Sequence, residues 1–170
     1  DMGGTSTDVC LIQNGKAELS NLRDISGFRI RLPMIDINTV GAGGGSIAYI
    51  ENDGLLKVGP ISAGAVPGPA CYNLGGVQPT VSDANLILGR LPENLVGGRM
   101  KLNKQKAINS VKQISKKLKI SIEQAALGII GIVNSNMTRA IRAVSVERGH
   151  DPRLFSLMPF GGAGGLHAVD

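Results

Sequence analysis

The sequence has 170 residues, of which 42% are hydrophobic and 3% are aromatic, and its net charge is +5. This length allows one domain with a core of aliphatic side chains. No apolar run approaches 18 residues without a polar interruption, which argues against a membrane-spanning segment. The 24 glycines lie in clusters between apolar runs, so they indicate turns of a folded domain rather than a disordered segment. Two distant cysteines, Cys10 and Cys71, are typical of reduced thiols in a cytoplasmic protein.

The first 60 residues carry the patterns of short strands. Asn14-Gly15 and Asp53-Gly54 each lie between two apolar runs, which predicts two hairpins. The alternation over residues 28–32 and the apolar run over residues 34–40 predict two further strands. From residue 59 to residue 76, glycine and proline alternate with small residues, a pattern typical of an ordered loop.

Helical patterns dominate the second half of the chain. A short helix is predicted over residues 83–88, with Ser82 as its cap, and a lysine-rich helix over residues 107–118. Ser121 begins a capping-box pattern at the start of a longer helix that is predicted to reach Arg148. This order, with strands before helices, predicts a mixed α/β fold.

The positive charge is local. Eight of the 18 basic residues fall within residues 99–119, which contain no acidic residue. Such a segment fits the solvated face of a helix, or a patch that binds nucleic acid or a membrane surface. No aromatic side chains lie between the lysines, so we favour the solvated helix and expect no nucleic-acid partner and no membrane partner.

The first glycine cluster has the chemistry of a phosphate site. Gly3 and Gly4 let a phosphate approach the backbone N–H groups, and Thr5 and Thr7 add hydroxyl donors. Asp1 can hold Mg²⁺ through water, or orient a nucleophilic water. The alternative is a tight hairpin without a ligand.

The second glycine cluster follows residues 154–160, which are predicted to form a strand. It should open a helix, the setting in which a glycine-rich turn holds a nucleotide. Its spacing matches neither the dinucleotide-binding fingerprint nor the P-loop. His167, just beyond it, is either a ligand or acid/base group, or a polar residue at the start of a helix. The glycines of this cluster are Gly161, Gly162, Gly164 and Gly165.

Other polar residues have two interpretations each. Asp36 and Asn38, with the glycines at 43–45, either line a substrate or metal site, or end a strand and satisfy the amides of a loop. Asp83 and Asn85 are either polar site residues or helix-cap groups. Arg139 and Arg142, one turn apart, either meet a phosphate or carboxylate, or form structural ion pairs.

Six separated stretches together resemble the hydantoinase A/5-oxoprolinase family of the actin-like ATPase superfamily. The resemblance implies an α/β actin-like ATPase (ribonuclease H-like) domain, with a mixed sheet, antiparallel hairpins and flanking helices, in truncated form. It covers nearly the whole chain, and residues 99–119 are its least distinctive part. The stretches are DMGGTSTDV (1–9), IDINTVGAGGGSIA (35–48), PGPACYNLGG (67–76), PTVSDANLILGRL (79–91), MTRAIRAVSVERGHDPR (137–153) and FGGAGGLHA (160–168).

The resemblance also implies a division of labour. Members clamp ATP, with Mg²⁺, between two related domains, so residues 1–170 would be a single partial domain, the second half of the ATPase core, with the first ATPase domain absent. Asp1 to Thr7 would form the phosphate hairpin, and Gly161 to Gly165 the turn on the adenosine side. Asn38 and Gly165 resemble the oxoprolinase-like members.

The function implied is a part of an ATP-dependent hydrolase that opens cyclic amides of the hydantoinase or 5-oxoprolinase type. Its partners would be a small-molecule substrate, the first ATPase domain and a larger hydantoinase B-like subunit or domain. The alternatives are the ATP-binding subunit of an acetone-carboxylase-type enzyme, or a non-catalytic actin-like nucleotide-binding module.

Overall fold

The computed structural model of the protein describes residues 1–21, 23–25 and 27–170. The helices are α1 (Val81–Ile87), α2 (Lys104–Leu118), α3 (Ile122–Val144) and the single turn α4 (Gly161–Gly164), with short 3-10 turns at Ala70–Tyr72, Val96–Gly98, Val146–Arg148 and Pro152–Leu154. The strands are β1 (Thr7–Cys10), β2 (Ile12–Gln13), β3 (Lys16–Ala17), β4 (Leu19–Ser20), β5 (Arg23–Ile25), β6 (Phe28–Ile30), β7 (Met34–Ile35), β8 (Ile37–Val40), β9 (Ser46–Ile50), β10 (Leu56–Ser62), β11 (Asn94–Leu95) and β12 (Met100–Lys101).

The strands of the described residues form antiparallel pairs, in the order β1-β8, β2-β3, β4-β7, β5-β6, β9-β10 and β11-β12. Both predicted hairpins are confirmed. Asn14 and Gly15 have φ of 51° and 74° between β2 and β3, as a two-residue turn of the favoured handedness requires. Gly54, with φ of 82°, turns the chain between β9 and β10. The α/β class with antiparallel hairpins is thus confirmed.

The core lies where α3 packs on α1, α2 and the β9-β10 pair. Its fully buried side chains are aliphatic or small, because the apolar residues of α2 and α3 recur at helical spacing and present one face to the strands. The capping box predicted at Ser121 is present and fixes the start of α3. None of the helices in the described ranges is both long enough and apolar enough to cross a membrane. The core includes Ala48, Val58, Val81, Val111, Ile129 and Val133.

Four sequence-based boundaries were wrong. The strand β10 continues to Ser62 through a register shift after Val58, where a loop was expected. The cap of α1 is Thr80 rather than Ser82. The helix α3 ends at Val144 because Ser145 leaves helical geometry, with φ of −121° and ψ of −83°.

The fourth wrong prediction is the strand over residues 154–160. The structure shows a 3-10 turn followed by extended chain that joins no strand pair among the described residues. Its apolar side chains are exposed, with Leu154 at 82% and Met158 at 84%. At the end of the segment, the Met2 N–H donates to the Phe160 carbonyl at 2.9 Å.

Candidate functional site

The first glycine cluster forms a four-residue hairpin loop. Met2 and Thr7 pair across it, and inside it the Gly3 N–H donates to the Ser6 carbonyl at 3.0 Å. Gly4 and Thr5 are exposed at the tip. Within residues 1–21, 23–25 and 27–170, the N–H groups of Gly4 and Thr5 donate no hydrogen bond. The loop therefore presents two free backbone donors to solvent, which is the arrangement that binds an anion.

The second glycine cluster lies directly against the first. The Ala163 N–H donates to the Met2 carbonyl at 3.0 Å, complementing the bond from Met2 to Phe160. Gly161 has φ of 82°, and a Cβ there would run into the Asp1 carboxylate and the Met2 carbonyl. The N–H groups of Gly161 and Gly162 are exposed and make no hydrogen bond to any described residue. The two glycine clusters, at opposite ends of the sequence, are therefore neighbours in space.

A third glycine turn, residues 41–45, supports the first from behind. The Gly44 N–H donates to the Gly3 carbonyl at 2.9 Å, and the Gly45 N–H donates to the Gly4 carbonyl at 2.6 Å. A Cβ on Gly43 would lie 2.6 Å from the Thr5 nitrogen. The N–H groups of this turn therefore satisfy carbonyls of the first loop. Because these carbonyls are held on the inner side, the loop's free N–H groups are left on the outer side.

The two threonines of the first loop differ in their surroundings. Thr7 is buried, and its hydroxyl donates to the Ala42 carbonyl at 2.5 Å, so its one proton already joins the first loop to the third turn. Thr5 is exposed, and its hydroxyl lies 3.4 Å from the Ser62 hydroxyl. Thr5 is therefore the hydroxyl that is free to reach a ligand.

The acids of the first hairpin stand opposite each other. The Asp8 N–H donates to the Asp1 carbonyl at 2.8 Å, and the Thr39 hydroxyl donates to the Asp8 carboxylate at 2.5 Å. Asp1 is exposed. In the described part of the chain, no three acidic, histidine or cysteine side chains converge as metal ligands. A magnesium ion at Asp1 would hence take its other ligands from water or phosphate, as Mg²⁺ commonly does.

The predicted substrate residues Asp36 and Asn38 are not brought to the glycine turns. Asp36 forms an ion pair with Arg148. It directly precedes the first residue of β8, Ile37, which pairs with Cys10 at the end of β1. Asn38 lies opposite Val9 on β1, one position from Asp8, and side chains alternate faces along a strand. It consequently lies on the other face of the β1-β8 pair from Asp8.

Asn38 instead lines a surface pocket of about 220 Å³ together with two residues of α3, Asn136 and Arg139. Arg139 donates to the Asn136 side-chain oxygen at 2.5 Å. The pocket is thus a recess between β8 and α3. It does not adjoin the free N–H groups of the two exposed turns.

Asp83 is fully buried, and its carboxylate accepts hydrogen bonds from three backbone N–H groups and one hydroxyl. It accepts from Thr80 N–H at 3.0 Å and Thr80 hydroxyl at 2.7 Å, and from the N–H groups of Ala70 (3.3 Å) and Cys71 (2.8 Å). These contacts correspond to the cap interpretation. Burial, reinforced by the neighbouring Asp83 charge, raises the pKa of the Cys71 thiol far above its usual range, so the thiol stays protonated at neutral pH.

Sequence reasoning missed a buried polar network beside the second glycine turn. His167 is buried and lies between two helices, with Nε2 3.1 Å from the Asn85 side-chain nitrogen of α1 and Nδ1 2.7 Å from the Asn134 side-chain oxygen of α3. Asp170 accepts from Arg90 and from Asn134. The signal available in the sequence was an asparagine inside an apolar helical stretch, Ala84-Asn85-Leu86.

Comparison with known proteins identifies the family. The family described as Hydantoinase/oxoprolinase matches residues 1–170. The chain belongs to the hydantoinase/oxoprolinase family.

Two relatives show the range of the family. The chain is 53% identical to caprolactamase subunit alpha of Pseudomonas jessenii, over 99% of this chain and 25% of that protein. It is 40% identical to 5-oxoprolinase of Saccharomyces cerevisiae, over 99% of this chain and 14% of that protein. The chain therefore spans a quarter or less of the length of these relatives.

Two solved structures share the fold. The crystal structure of ATP-dependent caprolactamase from Pseudomonas jessenii superposes with a TM-score of 0.90 at 52% identity, covering 99% of this chain and 25% of that one. Nucleotide-free acetone carboxylase, studied for ATP-dependent acetone carboxylation, superposes with a TM-score of 0.89 at 34% identity, covering 98% of this chain and 24% of that one.

Proposed function

We propose that this chain forms one wall of an ATP site in an ATP-dependent hydrolase that opens cyclic amides. The observation that carries the proposal is the juxtaposition of two exposed glycine turns whose N–H groups at Gly4, Thr5, Gly161 and Gly162 have no partner among the described residues. Backbone donors on glycine turns are a common means of binding phosphate. The similarity to an ATP-dependent caprolactamase supports the choice of nucleotide and of a cyclic amide.

Each turn has a role in the proposal. Gly3, Gly4 and Thr5 hold the phosphates, while Thr7 stiffens their loop through Ala42. Asp1 lies on the solvent side, next to Gly161, where its carboxylate can hold Mg²⁺ through water or orient the attacking group. The glycines of the second turn, Gly161, Gly162, Gly164 and Gly165, face the adenosine side. ATP would transfer its terminal phosphoryl group to the amide oxygen, with release of ADP, and this transfer would make the weakly electrophilic amide carbon easier to attack.

The proposed site is open on its outer side. Gly4, Thr5 and Gly162 are exposed, and the chain covers 25% of the caprolactamase subunit that it resembles. The first actin-like ATPase domain, closing over ATP, and a larger hydantoinase B-like subunit or domain complete the assembly that we propose. Because positioning supplies most of the catalysis in phosphoryl transfer, we expect the 170 residues alone to bind MgATP without turnover.

Binding is tested by titrating the ¹⁵N-labelled protein with MgATP. We expect the amide signals of Gly4, Thr5, Gly161 and Gly162 to shift. The control signals are those of Gly15 and Gly54, two exposed hairpin glycines outside the proposed site. Shifts at the control glycines with none at the two turns would overturn the proposal. Robust ATP hydrolysis by the 170 residues alone would contradict the expectation that they bind MgATP without turnover.

The role of Asp1 is tested by Asp1→Asn in the assembled enzyme, with a lactam or 5-oxoproline as substrate. The amide keeps the size of the side chain but removes the charge, so kcat should fall by about 10²–10⁴-fold. Nucleotide affinity and Tm should change little, since backbone groups bind the phosphates. Asp53→Asn, at another exposed acid in a turn, is the matched control. A near-normal kcat would transfer the role to Asp8.

A carboxylase is the second candidate. The chain is 44% identical to acetophenone carboxylase gamma subunit of Aromatoleum aromaticum, over 98% of this chain and 23% of that protein. ATP hydrolysis by the assembled enzyme that is stimulated by a ketone with bicarbonate, and not by a lactam, would favour it. Nucleotide binding without stimulation by either substrate would favour a non-catalytic module.

A further inference from the structure

The side chain of His167 connects the second glycine turn to two helices. It is 6% exposed, and its backbone N–H donates to the Gly164 carbonyl at 3.2 Å, so it belongs to the end of the turn. Its ring contacts Asn85 on α1 and Asn134 on α3. The turn is thereby anchored to the core through one imidazole.

The charges around the network assign the protons. Asp170, a carboxylate, can only accept, and it accepts from the Asn134 side-chain nitrogen at 3.1 Å. The Asn134 oxygen therefore faces His167, and the imidazole Nδ1, 2.7 Å away, must carry the proton. In a neutral ring Nε2 is then the acceptor, and the Asn85 nitrogen, at 3.1 Å, is its donor.

Protonation breaks this pattern at a defined atom. A proton on Nε2 would face the amide nitrogen of Asn85, which places two donors against each other. Rotating the Asn85 amide would offer its oxygen to Nε2, but would turn its NH₂ group into the space where the Asn85 Oδ1, buried and without a hydrogen-bond partner in the described residues, now lies. Its two N–H donors would then lie where the Asn85 side chain now makes no hydrogen bond, and a buried donor left unpaired costs free energy.

We propose that His167 is a positioning residue that fastens the second glycine turn to α1 and α3 while its ring is neutral, and releases the turn when Nε2 is protonated. The consequence for the nucleotide, weaker binding at acid pH, rests on the proposed function. The coupling between the ring and the turn does not.

The electrostatic surroundings favour the neutral ring. Burial lowers the pKa of His167 below its ordinary value of 6.5, and the nearby Arg90 lowers it further, while Asp170 acts in the opposite direction. The helix α3 contributes the neutral Asn134 to the contact. Since the unfolded chain binds the proton more readily than the folded one, stability should fall as the pH falls from about 6.5 towards the pKa of the folded state.

Nuclear magnetic resonance tests the proposal without any nucleotide, because the sequence contains only two histidines. Long-range ¹H–¹⁵N spectra should show His167 with its proton on Nδ1. On acidification, the amide signals of Gly161 to Gly165 should move with the same midpoint as the His167 ring. A proton on Nε2 at neutral pH, or glycine signals that ignore the titration of the ring, would overturn the proposal.

A pair of variants separates positioning from general destabilisation. Asn85→Asp replaces the donor to Nε2 with an acceptor, so it should favour the imidazolium and shift the midpoint of ring and turn together to higher pH. His150→Gln, at the other histidine, should leave the coupling unchanged. An unshifted midpoint in Asn85→Asp would contradict the assigned role.

The link to the nucleotide is measured separately, by titrating MgATP above and below the midpoint. Weaker binding below the midpoint supports the coupled mechanism. Coupling of ring and turn, with no MgATP response at either pH, would retain His167 as a positioning residue while overturning the proposed function.

Discussion

Residues 3–4 and residues 43–45 are both runs of glycine, but the space around their backbones differs. A Cβ on Gly4 would meet nothing within 4 Å, whereas a Cβ on Gly43 would lie 2.6–2.7 Å from backbone atoms of Gly4 and Thr5. The first pair leaves open space beside its backbone, and in the proposed function a phosphate approaches through that space. The glycines at 43–45 have no such space because the backbone of the first loop already occupies it. A glycine cluster in a sequence thus indicates close approach to the backbone, and only the fold decides what approaches.

The largest effect expected from this comparison is that of Gly43→Ala. The added Cβ cannot be accommodated by a side-chain movement, since the atoms that it meets belong to the backbone of the first loop. Overpacking of this kind costs about 3 kcal/mol. Thermal unfolding followed by circular dichroism should show Tm lowered by about 6–12 °C. A Tm within about 2 °C of the parent protein would mean that the turn at residues 41–45 does not pack against the first loop as the structure shows.

Gly161→Ala should have the next largest effect. It combines a left-handed backbone conformation, at φ of 82°, with a Cβ that meets the Met2 carbonyl and the Asp1 carboxylate. We expect a loss of about 2 kcal/mol in the free energy of unfolding. Urea denaturation measures it. Gly162→Ala, where a Cβ would meet nothing within 4 Å, is the control and should be close to the parent protein.

Thr7→Val tests the bond that joins the first loop to the third turn. The substitution preserves shape but removes the hydroxyl, so the Ala42 carbonyl loses its donor in a buried environment. Such a loss costs about 1–2 kcal/mol. Equal urea midpoints for the variant and the parent would show that this bond does not stabilise the pair of turns. Thr5→Val, at the exposed tip, is the matched control.

The parts of the fold that sequence predicted are those fixed by local chemistry. The Asn14-Gly15 turn forms because both residues tolerate positive φ, and the capping box at Ser121 involves residues three positions apart. The cap at Thr80 is equally local, since Thr80 and Asp83 form a capping box three positions apart, but the sequence pattern placed the cap at Ser82. Residues 154–160 looked like a strand by composition, but no described strand pairs with them.

The sequence predicted the residues of the candidate site better than it predicted the contacts that hold those residues in place. The glycine turns and Asp1 were found from their residue types and from the family resemblance. That the third turn holds the carbonyls of the first, and that Asn85 and Asn134 hold His167, depends on contacts between residues more than thirty positions apart. Asp36 was chosen because of its place next to the third turn in sequence, whereas the strand β8 carries it to the opposite end of the β1-β8 pair.

Gly4→Ala should have the smallest effect on stability and yet the clearest effect on binding. Its Cβ would meet nothing within 4 Å, and its φ lies outside the left-handed region, so the free energy of unfolding should change by less than about 0.5 kcal/mol. The methyl group would nevertheless stand at the exposed tip, beside the free N–H groups of Gly4 and Thr5, where a phosphate oxygen would have to come within about 3 Å. We therefore expect MgATP affinity to fall by about tenfold or more while Tm stays constant, as measured by titration and thermal unfolding of the same preparation. Gly43→Ala should show the reverse order of effects, with stability lost first. If Gly4→Ala binds MgATP as tightly as the parent protein, the open glycines at 3–4 are not the place where phosphate approaches, and their difference from the closed glycines at 43–45 has another cause.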